Sequence, residues 1–219
     1  MTRIIAGAAR GRRLTVPKGT VTRPTSDRAR EGLFATVTTI HGPLPGARVL
    51  DLYAGSGAVG LEALSRGAAR VVFVESDPRA GRAIEANLAA VGLPGGEFVS
   101  DKVQRFLDRG PGAEAAFDLM VADPPYAASA AEVAGMLTAL ASREWLAPLA
   151  LVAVERATRA GPLSWPPGAA GGWAAGYGAP RAASRPAAAT ASACGQDAGT
   201  STPSSSRTSG VVSRSGWEA

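Results

Sequence analysis

"RVLDLYAGSGAVGLEAL", Arg48 to Leu64, changes its period in the middle. Up to Tyr53 it is apolar at nearly every position; glycines then fall at 55, 57 and 60, and Leu61 and Leu64 resume at helical spacing. A continuous apolar run marks a strand covered on both faces. The glycines permit a tight turn into a helix whose first N–H groups are left free. Outward from this unit the same alternation repeats. "RVVFVE", "GEFVS", "FDLMVAD" and "LALVAVE" read as further strands, and helices are expected near 60–66, 79–91, 102–109 and 130–142. Strands apolar throughout, each followed by a helix, predict an α/β doubly wound, mostly parallel sheet of Rossmann-like type.

Composition narrows what such a sheet can do. The chain has 219 residues and 46% hydrophobic side chains, enough for one ordinary domain with appendages. No apolar run reaches the roughly 18 to 20 residues that cross a bilayer, and "MTRIIAGAARGRRL" lacks a signal-peptide core, so a cytoplasmic protein is expected. One cysteine, Cys194, and one histidine, His41, leave little room for disulfides, metal clusters or histidine triads, and no metal is expected. The chemistry therefore rests on carboxylates, hydroxyls, backbone groups or a cofactor.

Net charge is +5 with a pI near 10.1, favouring an anionic partner. The distribution is uneven: Arg3, Arg10, Arg12, Arg13, Lys18, Arg23, Arg28 and Arg30 precede the sheet, opposed only by Asp27. Two β-like pieces, "RIIAG" and "RRLTVP", and a helix capped by Thr25 or Ser26 make this a basic extension, residues 1–42, before a catalytic unit at 43–167. Arginine clusters of this kind bind phosphates. From Gly168 to Ala219 the composition turns to Ala, Gly, Ser, Pro and Thr, so a disordered tail is expected.

Ligands in open parallel sheets lie beyond the C-terminal strand ends. Gly55, Ser56, Gly57 and Gly60 form the turn after the first strand, and Glu75 and Ser76 end the second. An acid at Glu75 is placed to accept from both hydroxyls of a ribose. A dinucleotide would satisfy this pattern too. Asp51, inside the first strand's end, suits a charged amino-acid moiety and would repel a pyrophosphate, and Asp101, at the end of the third, could accept from an adenine amino group. These acids favour S-adenosyl-L-methionine.

The fourth strand ends in "LMVADPPYAA", Leu119 to Ala128. Asp123 and the Pro124 carbonyl could accept from an exocyclic amino group, so that the nitrogen lone pair turns toward a methyl donor. Pro124 and Pro125 stiffen the turn, and Tyr126 offers a ring for a base to stack on.

"RIIAGAARGRRL", "RPTSDRAREGLF", "VLDLYAGSGAVGLEALSRGA", "FVESD" and "LMVADPPY" together resemble the RsmD-type methyltransferases, over residues 2 to 167. The resemblance implies a class I methyltransferase fold and methylation of a guanine N2 amino group in 16S ribosomal RNA, by a monomer acting on RNA that can lie within a small-subunit assembly particle. It implies an RNA-binding role for Arg10, Arg12, Arg13, Arg23, Thr25 and Arg28, cofactor binding by Asp51, Gly55, Ser56, Gly57, Glu75, Ser76 and Asp101, and a catalytic loop at Asp123 to Tyr126. Two readings stay open beside it: another amino methyltransferase, on DNA adenine-N6 or protein glutamine-N5, or a catalytically impaired nucleotide- or RNA-binding module. The chain departs from the pattern after Tyr177-Gly178, where a closing strand gives way to the Ala/Ser/Pro-rich tail, as in out-of-frame translation. If the tail is such a product, one edge of the sheet is incomplete.

Overall fold

The structure, a computed structural model, describes residues 2–17, 27–112, 116–125, 127–155 and 165–166 with side chains, and 156, 169–176 and 209–215 as backbone. Among these residues the elements run β1 (Thr2–Arg3), β2 (Arg13–Leu14), α1 (Asp27–Ile40), β3 (Arg48–Leu52), α2 (Ala58–Ser65), β4 (Arg70–Glu75), α3 (Pro78–Val91), β5 (Gly96–Ser100), α4 (Val103–Asp108), β6 (Phe117–Ala122), α5 (Ala130–Ser142), β7 (Leu146–Arg156), β8 (Ala169–Gly176) and β9 (Ser209–Ser215). The four helices expected within the catalytic unit lie where the periodicity puts them, within a residue or two at their ends.

Strand order in the large sheet is β5-β4-β3-β6-β7-β9-β8. The pairs β5–β4, β4–β3, β3–β6 and β6–β7 are parallel. The direction of chain progress reverses between β3 and β6, which makes their C-terminal ends the switch point where such sheets bind ligands. Period-2 alternation divides the side chains cleanly. Val49, Val71, Phe73, Leu119, Val121, Leu151 and Ala153 join a cluster with α1, α2, α3 and the N-terminal arm. Leu50, Leu52, Val72, Val74, Met120, Ala122, Val152 and Val154 join α4 and α5 on the other side.

The tail expectation is corrected at two places. Ala169–Gly176 and Ser209–Ser215 form strands, with β9 antiparallel to both β7 and β8. The edge beyond β7 is therefore paired, not left open. The physical reason is that β7 offers a full ladder of backbone donors and acceptors, and "GVVSRS" carries two β-branched residues in register with it; ladder hydrogen bonds need no hydrophobic composition. The rest of the tail, including Tyr177, Gly178 and Cys194, lies outside the described residues.

The basic arm shares the first apolar cluster through Ile4, Ala9 and Leu14. Polar staples fix its path. Glu62 of α2, fully buried, accepts from the backbone N–H groups of Ile5 (2.7 Å) and Ala6 (2.9 Å) and from Arg66 Nε (2.8 Å). Ser65 Oγ accepts from Ala9 N–H and donates to the Ala6 carbonyl. Buried Arg30 of α1 donates to the Arg3 carbonyl at 2.6 Å and to Asp27 at 2.9 Å. Leu33, Phe34 and Val37 bury one face of α1, and Arg66 lies over the Phe34 ring.

Replacing Glu62 with Ala strands two part-buried N–H groups and removes the partner of the half-buried Arg66, and should cost about 1 to 3 kcal/mol in urea unfolding. Limited proteolysis should then cut first within residues 2–14. Unchanged stability with an equally protected arm would refute the staple.

Candidate functional site

The glycine turn is built for close approach. Gly55 has φ +58° and no atom within 4 Å of where a Cβ would stand, so the backbone there faces open space. Gly57, at φ +76°, is the N-cap of α2. Gly60 has a packing role: a Cβ there would lie 2.3 Å from the Phe73 ring, which lets α2 press onto β4. Gly57 has no side chain to cap α2, and Asp51 does so from β3, accepting the Gly60 N–H at 2.8 Å.

Asp51, Glu75, Asp123 and Glu155 form the electrostatic centre. Asp51 follows Val49 on β3, and Glu75 follows Phe73 on β4. Asp123 follows Val121 at the end of β6, and Glu155 follows Ala153 on β7. Each is two residues beyond a member of the α1–α3 cluster, so alternation turns all four toward one face of the sheet. Register sets their levels. Asp51 pairs with Phe73 and Val121, and Ala122 pairs with Val154, so Glu75 and Asp123 stand two residues beyond Asp51, with Asp123 beside Glu155. Burial pushes the Asp51 carboxyl up to about 8, against the Gly60 N–H and with help from Asp123 and Glu75. Glu155 is pushed up to about 7, by burial first and by Asp123 second. Such a row of carboxylates suits a cation and opposes a pyrophosphate.

Two of the expected cofactor acids have hydrogen-bond partners within the chain. Oε1 of Glu75 accepts from the N–H groups of Ser76 (2.7 Å) and Asp77 (2.8 Å), and Oε2 accepts from Gly55 N–H at 2.9 Å. Oε1 thus carries two backbone donors, while Oε2 carries one and keeps acceptor capacity for a ribose hydroxyl. Glu75 also ties the glycine turn to β4. Asp101 is also engaged. Its carboxylate accepts from Lys102 N–H and pairs with Arg105 and Arg109. Burial alone would raise its pKa, but the Arg105 hydrogen bond, the Lys102 N–H and the two guanidinium charges outweigh it and hold the carboxyl below its usual value. An adenine amino group would have to compete with those partners.

The loop after β6 is pinned at both ends. Asp123 N–H points at the Leu52 carbonyl at 3.4 Å, and Ala128 N–H donates to the Pro125 carbonyl at 2.8 Å. Ser129 and Glu132 then close a capping box on α5. Pro124 is buried and Pro125 exposed, while Tyr126 lies outside the described residues. Ser76 is exposed at the rim beside Glu75. Of the arm residues, Arg10, Arg12, Arg13 and Arg28 are exposed, and Arg12 donates to the Ala90 carbonyl at 2.7 Å. Arg23 and Thr25 lie outside the described residues.

Two residues at the site escape sequence reasoning. Glu155 reads as an ordinary strand end until the β6–β7 register places it beside Asp123. Tyr53 takes φ +58°, an uncommon conformation for a bulky side chain, at the turn leaving β3, and it packs against the α4–α5 cluster. Among the described residues there is no group of three His, Cys, Asp or Glu side chains that could hold a metal ion, and no helix is long and apolar enough to cross a membrane.

The strand order, with its antiparallel closing pair and acid-lined switch point, defines a Rossmann-like class I S-adenosylmethionine-dependent methyltransferase fold. A solved structure described as "Putative methyltransferase yhhF from Escherichia coli" superposes with a TM-score of 0.71 at 25% identity, over 99% of each chain. In sequence, the chain is 37% identical over 153 residues to "Ribosomal RNA small subunit methyltransferase D" of Escherichia coli K12, covering 70% of this chain and 73% of that one. It is 38% identical over 126 residues to "Putative rRNA methyltransferase YlbH" of Bacillus subtilis, covering 57% of this chain and 66% of that protein's length. The family model described as "Conserved hypothetical protein 95" matches residues 2–174, and the chain belongs to that family, the one of the ribosomal RNA small subunit methyltransferase D proteins.

The raised Asp51 pKa has a sign that can be checked. Between the ordinary value of 3.8 and about 8, the unfolded chain has released this proton while the folded chain keeps it. Stability of the ligand-free protein, relative to an Asp51→Asn variant, should therefore fall as pH rises through that window and level off above it. A flat difference in urea midpoints between pH 5 and 8 would show that Asp51 is ionised throughout.

Proposed function

We propose that the protein transfers a methyl group from S-adenosylmethionine to the exocyclic N2 amino group of a guanine in small-subunit ribosomal RNA. The observation that carries this reading is the single face shared by Asp51, Glu75, Asp123 and Glu155, next to a glycine turn open at Gly55. When bound, S-adenosylmethionine supplies an electrophilic methyl group on a positively charged sulfur. Gly55 and Gly57 give it backbone access, Asp51 meets its ammonium, and Glu75 holds the turn in shape beside it. This acid row supports that cation over a dinucleotide. The relatives named as ribosomal RNA small subunit methyltransferases support RNA as substrate.

On the substrate side, Asp123 and the Pro124 carbonyl accept hydrogen bonds from the amino group. This localises the nitrogen lone pair otherwise delocalised into the ring. As the N–CH₃ bond forms, the bond from methyl carbon to sulfur breaks and its electron pair stays on sulfur. The N2 proton leaves to the carboxylate pair Asp123 and Glu155, of which Glu155 is balanced near neutrality. Stacking on Tyr126 completes the base site in this reading. The exposed Arg10, Arg12, Arg13 and Arg28 engage phosphates at the rim.

The test is incubation with methyl-labelled S-adenosylmethionine and unmodified small-subunit RNA, naked or assembled, followed by nucleoside analysis. Label should appear as N2-methylguanosine; label in N6-methyladenosine alone, or none, would overturn the reading. Asp123→Ala should lower the single-turnover rate by roughly 100-fold or more while S-adenosylhomocysteine still binds. Joint replacement of Arg10, Arg12 and Arg13 by Ala should flatten the salt dependence of RNA binding by about 2 to 3 in log–log slope. An unchanged slope would mean that these arginines form only a solvated face.

A further inference from the structure

Asn87, on α3, is 1% exposed and its side chain joins two segments far apart in sequence. Its Oδ1 accepts from Thr15 N–H at 2.8 Å, and its Nδ2 donates to the Thr15 carbonyl at 2.9 Å. The second Nδ2 hydrogen goes to the carbonyl of Ser56 at 2.9 Å. Thr15 directly follows β2 in the basic arm, and Ser56 sits between the two positive-φ glycines of the turn. One turn further along α3, the Ala90 carbonyl receives Arg12 of the same arm. A single buried amide thus spends its hydrogens on both the arm and the glycine turn.

An amide needed only to anchor the arm could make the Thr15 pair alone. The Ser56 bond fixes the carbonyl of a segment whose neighbours carry glycine's conformational freedom, and a shift of the arm at Thr15 must move the amide that holds it. We infer that Asn87 is a positioning residue that couples the two proposed binding regions, so that RNA on the arm and cofactor at the turn bind with positive cooperativity. Either ligand, by holding its own end of the Thr15–Asn87–Ser56 connection in the bonded arrangement, favours that arrangement at the other end. The inference rests on the functional reading above, which assigns RNA to the arm and S-adenosylmethionine to the turn.

The experiment measures the affinity of the full chain for S-adenosylhomocysteine with and without an unmodified small-subunit ribosomal RNA transcript, and the reciprocal. In the wild type each ligand should tighten the other by the same factor, about 5- to 50-fold. Asn87→Ala should bring that factor close to one. Thr15→Pro, which removes the N–H donor from the exposed arm side, should do the same and serves if Asn87→Ala does not fold. Ser65→Ala loosens the arm without touching the turn, so it should weaken RNA binding yet keep the factor; a purely structural anchor predicts that all three variants behave alike. Independent binding in the wild type, or an undiminished factor in Asn87→Ala or Thr15→Pro, would overturn the coupling while leaving the functional reading intact. Failure of the wild type to bind either ligand would overturn that reading, and the coupling with it.

Discussion

Everything at the site depends on the parallel register of four adjacent strands. Because side chains alternate strictly, pairing Asp51 with Phe73 and Val121 and Ala122 with Val154 commits four acids to the face that carries the arm. A slip of one residue in β6 would bury Asp123 against α5 and turn Met120 and Ala122 toward the ligand. The two apolar clusters oppose that slip, since each needs its own set of alternate residues from every strand. The hydrophobic core is thus also the device that holds the carboxylates together against their mutual repulsion. Backbone N–H groups of the glycine turn, from Gly55 to Glu75 and from Gly60 to Asp51, offset part of that repulsion.

The arm is attached to the same elements that frame the turn. Glu62 and Ser65 belong to α2, which begins at the glycines, and Asn87 belongs to α3, which follows Glu75. A basic segment held only by surface ion pairs would gain little from them. Here the anchors are buried side chains meeting backbone groups, which fixes the position of the chain itself. The arm and the sheet consequently share one apolar cluster, and displacement of the arm would expose Ile4 and Leu14 together.

Much of this was legible in the sequence because it is local. The apolar runs and the glycine spacing each need only a few neighbouring residues, and the strands and helices fall where those signals lie. The parts that were missed depend on distant partners. Glu155 gains meaning from Asp123 on a neighbouring strand, and Asn87 from Thr15, 72 positions away. Glu75 reads as a strand-end acid, and its hydrogen bonds to Gly55, Ser76 and Asp77 follow from turn geometry that the letters do not carry. Asp101 is the exception, since Arg105 and Arg109 follow it at helical spacing and that signal was available. The strands in the tail show the opposite failing: composition argued against structure, while the open ladder of β7 was a reason for it.

The carboxylate row also explains why the site should respond to a cation as a unit. Without one, burial pushes the Asp51 carboxyl up to about 8 and the Glu155 carboxyl up to about 7. A ligand bearing positive charge favours the ionised forms, so its binding releases protons and its affinity rises with pH until the acids are already ionised. Proton release at Asp51 then places charge at the N-terminus of α2, where the helix dipole and the Gly60 N–H stabilise it. The burial and repulsion that raise Asp51 and Glu155 are offset by a ligand bearing positive charge, and the free energy that disfavours their ionised forms in the free protein appears as selectivity for a cationic ligand over a neutral or anionic one of similar shape.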